Sequence, residues 1–296
     1  MAVAHEFGGD WTSEKLSRVQ KYIQAYTKIF ASNPRAQRLH TIYLDAFAGT
    51  GYINASTGDT ECAQMLEGFI EEENQEFLAG SARIALEVEP PFKEYVFIEK
   101  DKAYANELVQ LRNEFAIKRG PISVISEDAN SYLMRWVQST NWEKTRAVVF
   151  LDPYGMNVDW SVIDALGKTK AVDLWYLFPL GVAVNRLLTK SGPPSRNWAR
   201  ALTRIFGTDT WEGAFYPRQK VQTLFGEEET QLKDADFEKI KQFFIERLKT
   251  AFTSVSTKPL DLRNSKNNPL YLLCFAASNP KGAPTALKIA DFILKP

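Results

Sequence analysis

Apolar residues recur at a helical spacing near the start of the chain. They stand every three or four positions, at Leu16, Val19, Ile23, Tyr26 and Phe30. Such spacing predicts an amphipathic helix that packs one face on a core. Thr12 or Ser13 offers a hydroxyl for its N-cap.

Short apolar runs follow and predict buried strands. They lie at 41–47, 94–99, 122–126, 147–152 and 172–178. Segments typical of helices follow the second, third and fourth of these runs. An alternation of strand and helix predicts a parallel sheet covered on both faces, because parallel strands need long crossovers.

The pattern changes after residue 180. Residues 181–250 contain segments typical of helices and loops and no strong strand, which favours an inserted helical subdomain. The runs 252–260 and 268–278 then predict an antiparallel terminal hairpin. The predicted organisation is therefore an N-terminal helical segment (1–40), an α/β domain (41–180 and 251–296) and the inserted helical subdomain (181–250).

Charge is balanced over the whole chain but not locally. The 296 residues contain 36 Lys and Arg and 36 Asp and Glu, so the molecule as a whole has no basic footprint for nucleic acid. Residues 61–94 carry nine acids and two bases (2 − 9 = −7), whereas 186–220 carry seven bases and two acids (7 − 2 = +5). The acidic stretch is expected to fold over a cofactor, to bind a basic partner or to form a solvated helix.

Cysteine and histidine are scarce. Two cysteines are too few for a disulfide framework or a zinc cluster, and His5 and His40 are the only histidines. The N-terminus lacks a signal-peptide layout, and no apolar run is long enough to span a bilayer. We expect a cytoplasmic protein with no membrane association and no metal.

A glycine turn follows the first predicted strand, in the segment DAFAGTG from Asp45 to Gly51. Acidic residues also end the next three strands, at Glu99, Asp128 and Asp152. Ligands of open parallel sheets bind at the carboxyl ends of the strands, so these side chains should converge.

Each carboxylate has an expected role and an alternative. Glu99 is placed to accept the ribose hydroxyls of a nucleoside, with Asp101 as the second choice. Asp128 could accept an adenine amino group, or could instead cap the helix that follows it. The residues predicted to bind the cofactor are Asp45, Phe47, Ala48, Gly49, Gly51, Glu99, Lys100, Asp128 and Ala129.

The segment Asp152-Pro153-Tyr154-Gly155 carries the prediction of reaction type. It resembles the D/N-P-P-Y/F motif of methyltransferases that modify exocyclic amino groups of bases, in which the carboxylate accepts the amino hydrogens and the aromatic ring stacks on the base. Gly155 departs from that motif, and a β-turn after a strand is the alternative interpretation. The predicted catalytic residues are Asp152, Pro153 and Tyr154.

A basic stripe is predicted on a helix within 195–207. Arg196, Arg200 and Arg204 recur every four residues, with Trp198 between them. Arginines interleaved with aromatic residues suit phosphate contact and base stacking, so the three arginines are the predicted substrate-binding residues. A solvated helix face remains the alternative.

Taken together, these segments resemble the three-Cys-motif partner protein (TcmP) family. The similar text lies at 43–53, 80–86, 97–101, 127–130, 148–160, 173–181, 206–211 and 269–280. The resemblance implies a Rossmann-like class I methyltransferase fold and a neighbouring protein with three clustered cysteines as a possible partner.

Three functions are weighed. The leading hypothesis is an S-adenosylmethionine (SAM)-dependent methyltransferase acting on a base amine of RNA or DNA. The second is a SAM-binding or catalytically degenerate module that works with the three-cysteine protein. An NAD-dependent oxidoreductase is disfavoured, because Phe47 and Asn54 stand where the dinucleotide fingerprint needs glycine.

Overall fold

The computed structural model describes residues 10–48, 80–153, 155–223 and 226–295. Helix α1 (Asp10–Ser32) and a 3-10 turn (Ala36–Arg38) lead into strand β1 (His40–Asp45). The predicted helix is confirmed, but Thr12 and Ser13 lie inside it, so the expectation that either is the N-cap is wrong.

The first half of the chain alternates strands and helices as the apolar runs predict. Its elements, in order, are β1, α2 (Gly80–Glu87), β2 (Glu94–Ile98), α3 (Lys102–Phe115), β3 (Ile122–Ile125), α4 (Ala129–Ser139), β4 (Thr145–Leu151), α5 (Trp160–Lys168) and β5 (Val172–Phe178). Helix α2 coincides with the text GSARIAL and packs against β1 and α1.

The second half completes the sheet and contributes helices to both of its faces. Its elements are a π-helical turn (Leu180–Val184), α6 (Asn185–Leu187), α7 (Arg196–Phe206), α8 (Trp211–Phe215), β6 (Gln219–Thr223), β7 (Gly226–Thr230), α9 (Phe237–Ala251), β8 (Ser254–Val255), β9 (Leu260–Arg263), β10 (Pro269–Ala277) and α10 (Ala283–Ile293).

The main sheet has the strand order β3-β2-β1-β4-β5-β10-β8, and β9 pairs with the other end of β10. Strands β1 to β5 pair in parallel, whereas β10 runs antiparallel to β5, β8 and β9. This order, with a reversed strand beside β5, is the Rossmann-like class I methyltransferase arrangement. The chain leaves β1 towards β2 on one side and returns to β4 on the other, so the crevice of an open α/β sheet lies between β1 and β4.

Alternating side chains of the strands build a core on each face of the sheet. Tyr43 of β1 and Trp175 of β5 pack beneath α1, α2, α3 and α10. Leu44 and Tyr176 pack on the other face, beneath α4, α5, α7 and α9. Full burial of a large apolar side chain contributes roughly 1.5–3 kcal/mol, so each face is a substantial source of stability.

The region predicted to be helical between 181 and 250 also contains two strands. β6 and β7 pair antiparallel with each other as a separate two-stranded sheet. The prediction of helices with no strong strand did not include this hairpin, because QKVQT and GEEET are mostly polar and give no apolar run for a pattern to detect. The helices of this region do reach the core, since the ring of Phe244 stacks on Phe178 with centroids 3.8 Å apart.

The antiparallel end of the sheet is confirmed in outline. The run 252–260 divides into β8 and the start of β9, and both pair with β10. Asn267, in the turn between β9 and β10, has φ of 61°, a left-handed conformation that asparagine adopts more readily than most residues.

Candidate functional site

Two acidic residues meet at the crevice between β1 and β4. Asp45 ends β1 opposite Phe150 of β4, and Asp152 follows β4 directly. Asp45 is completely buried. Its Oδ1 accepts a hydrogen bond from the N–H of Phe47 at 3.3 Å, whereas its Oδ2 has no hydrogen-bond partner in the part of the chain that the structure describes.

The surroundings of Asp45 raise its pKa to about 7. Burial is the largest cause, and the charge of Asp152 adds to it. Three groups lower this pKa and oppose the rise: the hydrogen bond from the Ser81 hydroxyl, the hydrogen bond from the N–H of Phe47, and the charge of Lys15. A carboxyl group that changes charge near neutral pH in a crevice is a candidate functional group.

Lys15 of α1 forms an ion pair with Asp152. The Lys15 side chain is 4% exposed and that of Asp152 is 19% exposed. The ammonium group also lies over the Trp11 ring, 5.3 Å from its centroid, and Trp11 stacks on Tyr271 of β10. Helix α1 thus brings a buried cation to the ends of β1 and β4.

Sequence analysis missed Lys15 and Ser81. The spacing of α1 contained a signal for Lys15, because residues 11, 15, 19, 23 and 26 share the face on which the other four side chains are apolar and buried. A lysine on such a stripe must find a partner. Ser81 gave no comparable signal.

The hydroxyl of Tyr43, on the same strand as Asp45, is also buried without a hydrogen-bond partner among the described residues. The pKa of Tyr43 is raised well above its usual value, mainly by burial and further by the charges of Asp45 and Asp152. A second polar atom near the two carboxylates is therefore available for a hydrogen bond.

The next strand end places Glu99 and Asp101 in different roles. Glu99 is 7% exposed, and its Oε1 accepts a hydrogen bond from the N–H of Asp101 at 2.7 Å. Asp101 caps α3 by accepting the N–H of Ala103 at 2.7 Å. Lys100, between them, is exposed.

Asp128 is the N-cap of α4 and accepts the N–H of Ser131 at 2.9 Å, which is the capping alternative. It is exposed, and an ionised carboxylate has capacity for further hydrogen bonds. Ala129, which follows it, is 6% exposed.

Asn130 joins the β3–α4 loop to the loop after Asp152. Its side-chain Nδ2 donates to the carbonyl of Asn157 at 2.8 Å, and its Oδ1 accepts the N–H of Asp159 at 3.0 Å. Asn130, the last residue of the EDAN sequence, thus holds the loop that follows β4 and contains the D-P-Y-G segment through two hydrogen bonds.

The glycine of that segment adopts a turn conformation. Gly155 has φ of 65°, which favours glycine. Pro153 is buried. Tyr154, together with Gly49 and Gly51 of the glycine turn, lies outside the described residues. The last described residues of the turn are the partly buried Phe47 and the buried Ala48, whose N–H donates to the carbonyl of Ile98 at 3.0 Å.

The predicted arginine stripe lies on α7, beside this loop. Arg196 and Arg200 are exposed and form no ion pair with any described residue. Arg204 contacts the loop, with its Nη2 3.3 Å from the carbonyl of Met156 and its Nε 3.4 Å from Asp159. The stripe therefore begins at the rim of the crevice and continues into solvent.

His40 lies at the other end of β1, where its Nε2 is 2.7 Å from Glu94. Across the described ranges, no three His, Cys, Asp or Glu side chains come together as a metal site would require. None of the helices in those ranges has the length and apolarity needed to cross a membrane.

Comparison with known proteins gives structural neighbours only. No family model matches the chain, and no curated protein matches it. The resemblance to the three-Cys-motif partner family thus stays a prediction.

Two solved structures are similar in outline. Protein LPL1258 from Legionella pneumophila strain Philadelphia 1, of the DUF519 family, has a TM-score of 0.47 and 13% identity over 98% of this chain and 92% of its own. A SAM-dependent methyltransferase from Clostridium acetobutylicum ATCC 824 has a TM-score of 0.35 and 10% identity, over 87% and 91% of the respective chains.

Proposed function

We propose that the chain is a SAM-dependent methyltransferase that acts on an exocyclic amino group of a nucleic-acid base. The observation that carries the proposal is the pair Asp45 and Asp152 at the ends of β1 and β4, in which one oxygen of the buried Asp45 has no hydrogen-bond partner among the described residues. An unpaired buried oxygen is costly, and a bound ligand that donates a hydrogen bond removes that cost.

The donor set suits SAM. Its ammonium group can donate to Oδ2 of Asp45, its ribose hydroxyls to Glu99, and its adenine amino group to Asp128. Phe47, Ala48, Gly49 and Gly51 would form the turn around it, with Lys100 and Ala129 at the nucleoside end. Two carboxylates and one ammonium group (Asp45, Asp152 and Lys15) leave the crevice with an excess negative charge, which complements the single net positive charge of SAM.

Asp152 is the proposed acceptor residue. Its carboxylate would accept the hydrogens of the acceptor amine, while Pro153 shapes the turn and Tyr154 stacks on the base. SAM, when bound, would supply the methyl group: the acceptor nitrogen would gain a bond to the methyl carbon, the sulfur–carbon bond would break, and S-adenosylhomocysteine would be the leaving group. The nitrogen would lose one proton, for which Asp152 is the proposed acceptor. Positioning supplies most of the catalysis, because SAM is already an activated electrophile.

The arginines of α7 support a nucleic-acid substrate. Arg196 and Arg200 have no acidic partner among the described residues, so their charges are available to phosphates. Arg204 connects this stripe to the loop after Asp152. A nucleic-acid strand on α7 would pass beside the acceptor carboxylate.

Labelled methyl transfer tests the reaction. The purified chain is incubated with methyl-labelled SAM and either transcribed RNA or amplified DNA. Asp152→Ala, which removes the acceptor oxygens, is expected to lower transfer about 100-fold or more while SAM affinity changes little. Unchanged transfer by this variant would remove Asp152 from the acceptor site. SAM binding without transfer until a three-cysteine-motif protein is added would favour the partner-module alternative.

Nucleic-acid binding is tested separately by fluorescence anisotropy of a labelled RNA at several salt concentrations. Replacing both Arg196 and Arg200 with Ala should reduce the slope of log affinity against log salt by about two. In the matched control, Lys281 and Lys288 are both replaced with Ala. This removes the same amount of positive charge from the other side of the sheet. Equal effects of the two double variants would contradict a specific role for α7.

A further inference from the structure

The burial of Lys15 requires an explanation beyond folding. Lysine is almost never fully buried unless it is paired, and the Lys15 side chain is 4% exposed. A buried ion pair is weak evidence for stability, because apolar replacements are often as stable or more so. The apolar face of α1 could have accepted such a residue between Trp11 and Val19, both of which are buried.

The position of the ammonium group is fixed on two sides. The Trp11 ring lies one helical turn before Lys15, and the centroid of that ring is 5.3 Å from Nζ. Trp11 is held in turn by stacking on Tyr271, with ring centroids 5.1 Å apart. The ammonium group therefore lies between the Trp11 ring and the Asp152 carboxylate.

The two carboxylates of the crevice differ in their partners. Asp152 has Lys15 as its ion-pair partner, whereas Oδ2 of Asp45 has no partner in the described residues. Four groups shift the pKa of Asp45: Lys15 from α1, Ser81 from α2, Asp152 after β4, and the N–H of Phe47. Tyr43 is a further titratable group nearby, on the same strand. Lys15 is the cation among them.

We propose that Lys15 is a positioning residue, whose ammonium group holds the Asp152 carboxylate in place and leaves Asp45 as the anion that receives the cofactor's ammonium group. The proposal rests on the proposed function for the roles of Asp45 and Asp152. It assigns to α1, which precedes the sheet, a part in organising the site. Loss of the Lys15 charge should then alter the ionisation of Asp45, which the charge of Lys15 favours.

The titration of Asp45 tests this without any cofactor. Aspartate carboxyl carbons are isotope-labelled, and the Asp45 signal is assigned as the one lost in Asp45→Asn. Lys15→Met has a similar length and no charge, so the Asp45 midpoint should rise by about one pH unit. Lys15→Arg should restore it, and Lys21→Met, which changes an exposed lysine of the same helix, should leave it unchanged.

SAM titration at several pH values provides the second readout. A rise of one unit from a pKa of about 7 lowers the ionised fraction of Asp45 at pH 7 from about one half to about one tenth. Lys15→Met should therefore bind SAM about fivefold more weakly at pH 7, with a much smaller loss at about pH 9. A loss of equal size at every pH would indicate a packing role and overturn the proposal.

The two hypotheses fail in different ways. If the wild-type chain does not bind SAM, the proposed function fails, and the Asp45 titration still decides the effect of Lys15. If SAM binds but the Asp45 midpoint is the same in wild type and Lys15→Met, the positioning role fails alone. Lys15→Gln, a neutral polar replacement, keeps the comparison decisive if Lys15→Met does not fold, because it also removes the charge and should also raise the Asp45 midpoint.

Discussion

The buried Asp45 and the partly buried Asp173 belong to opposite edges of the main sheet. Asp45 ends β1 at the carboxyl edge, whereas Asp173 lies near the start of β5 at the amino edge. Burial is the main cause that raises the pKa of each, to about 7 for Asp45 and about 6 for Asp173. Helix α1 reaches both regions, with Lys15 near one and Tyr22 near the other.

The two aspartates differ in their hydrogen bonds. Oδ2 of Asp173 accepts the hydroxyl of Tyr22 at 2.6 Å, and the charge of Arg146 also favours its ionised form. Oδ2 of Asp45 has no described partner. A carboxylate whose hydrogen bonds are made, such as that of Asp173, is explained by the fold. A buried carboxylate at the carboxyl edge of a parallel sheet, with one oxygen that no described residue contacts through a hydrogen bond, indicates a ligand site.

The largest expected effect concerns stability. Because the pKa of Asp45 is raised on folding, its contribution to the free energy of unfolding is complete below about pH 4 and is lost as the pH rises through about 7. Asp45→Asn removes this loss, so at pH 8 the variant should be more stable than wild type, by up to about 4 kcal/mol. Denaturant unfolding at pH 5 and pH 8 measures it. A variant that is less stable than wild type at pH 8 would show that Asp45 is fully satisfied in the folded chain.

SAM affinity should follow the ionisation of Asp45. The carboxylate, and not the neutral acid, attracts the cofactor's ammonium group, so affinity should rise about tenfold between about pH 6 and pH 8. Calorimetric titration across this range measures the change. S-adenosylhomocysteine retains the ammonium group and should show a similar pH dependence, although it lacks the sulfonium charge. A flat profile would separate Asp45 from the cofactor's charge.

The smallest expected effect comes from removing the hydrogen bond to Asp173, so that this carboxylate, like Asp45, has an oxygen without its donor. Tyr22→Phe removes the hydroxyl that lowers the pKa of Asp173, so this pKa should rise further above 6. The free energy of unfolding at pH 7 should fall by about 1 kcal/mol, because a partly buried carboxylate loses a donor. SAM affinity should remain unchanged. A marked loss of affinity would mean that the amino edge is coupled to the crevice.

Much of the fold could be predicted from the sequence. The apolar runs that became β1 to β5 and β10 were long enough to identify as buried strands, and their boundaries agree to within two residues. β6 and β7 could not be found in this way, because a mostly polar two-stranded hairpin leaves little apolar signal. β8 and β9 were joined in the prediction, since 252–260 is one continuous strand-like run.

The candidate site was predictable only where strand ends define it. Asp45, Glu99 and Asp152 were placed by the rule that parallel strands present their carboxyl ends to one edge. Lys15 and Ser81 come from helices α1 and α2, and no local pattern states what a helix side chain will meet across the sheet. The capping bond of Asp128 was foreseen as an alternative, because a cap depends only on neighbouring residues.

The central claim is that Asp45 is the cofactor's anionic partner at the ends of β1 and β4. Its most direct test is the calorimetric titration of SAM into wild type, Asp45→Asn and Asp173→Asn at about pH 8. We predict that Asp45→Asn binds SAM about 10–100-fold more weakly, as expected for a lost charge-assisted hydrogen bond, and that Asp173→Asn binds as wild type does. Equal affinity in wild type and Asp45→Asn would contradict the claim.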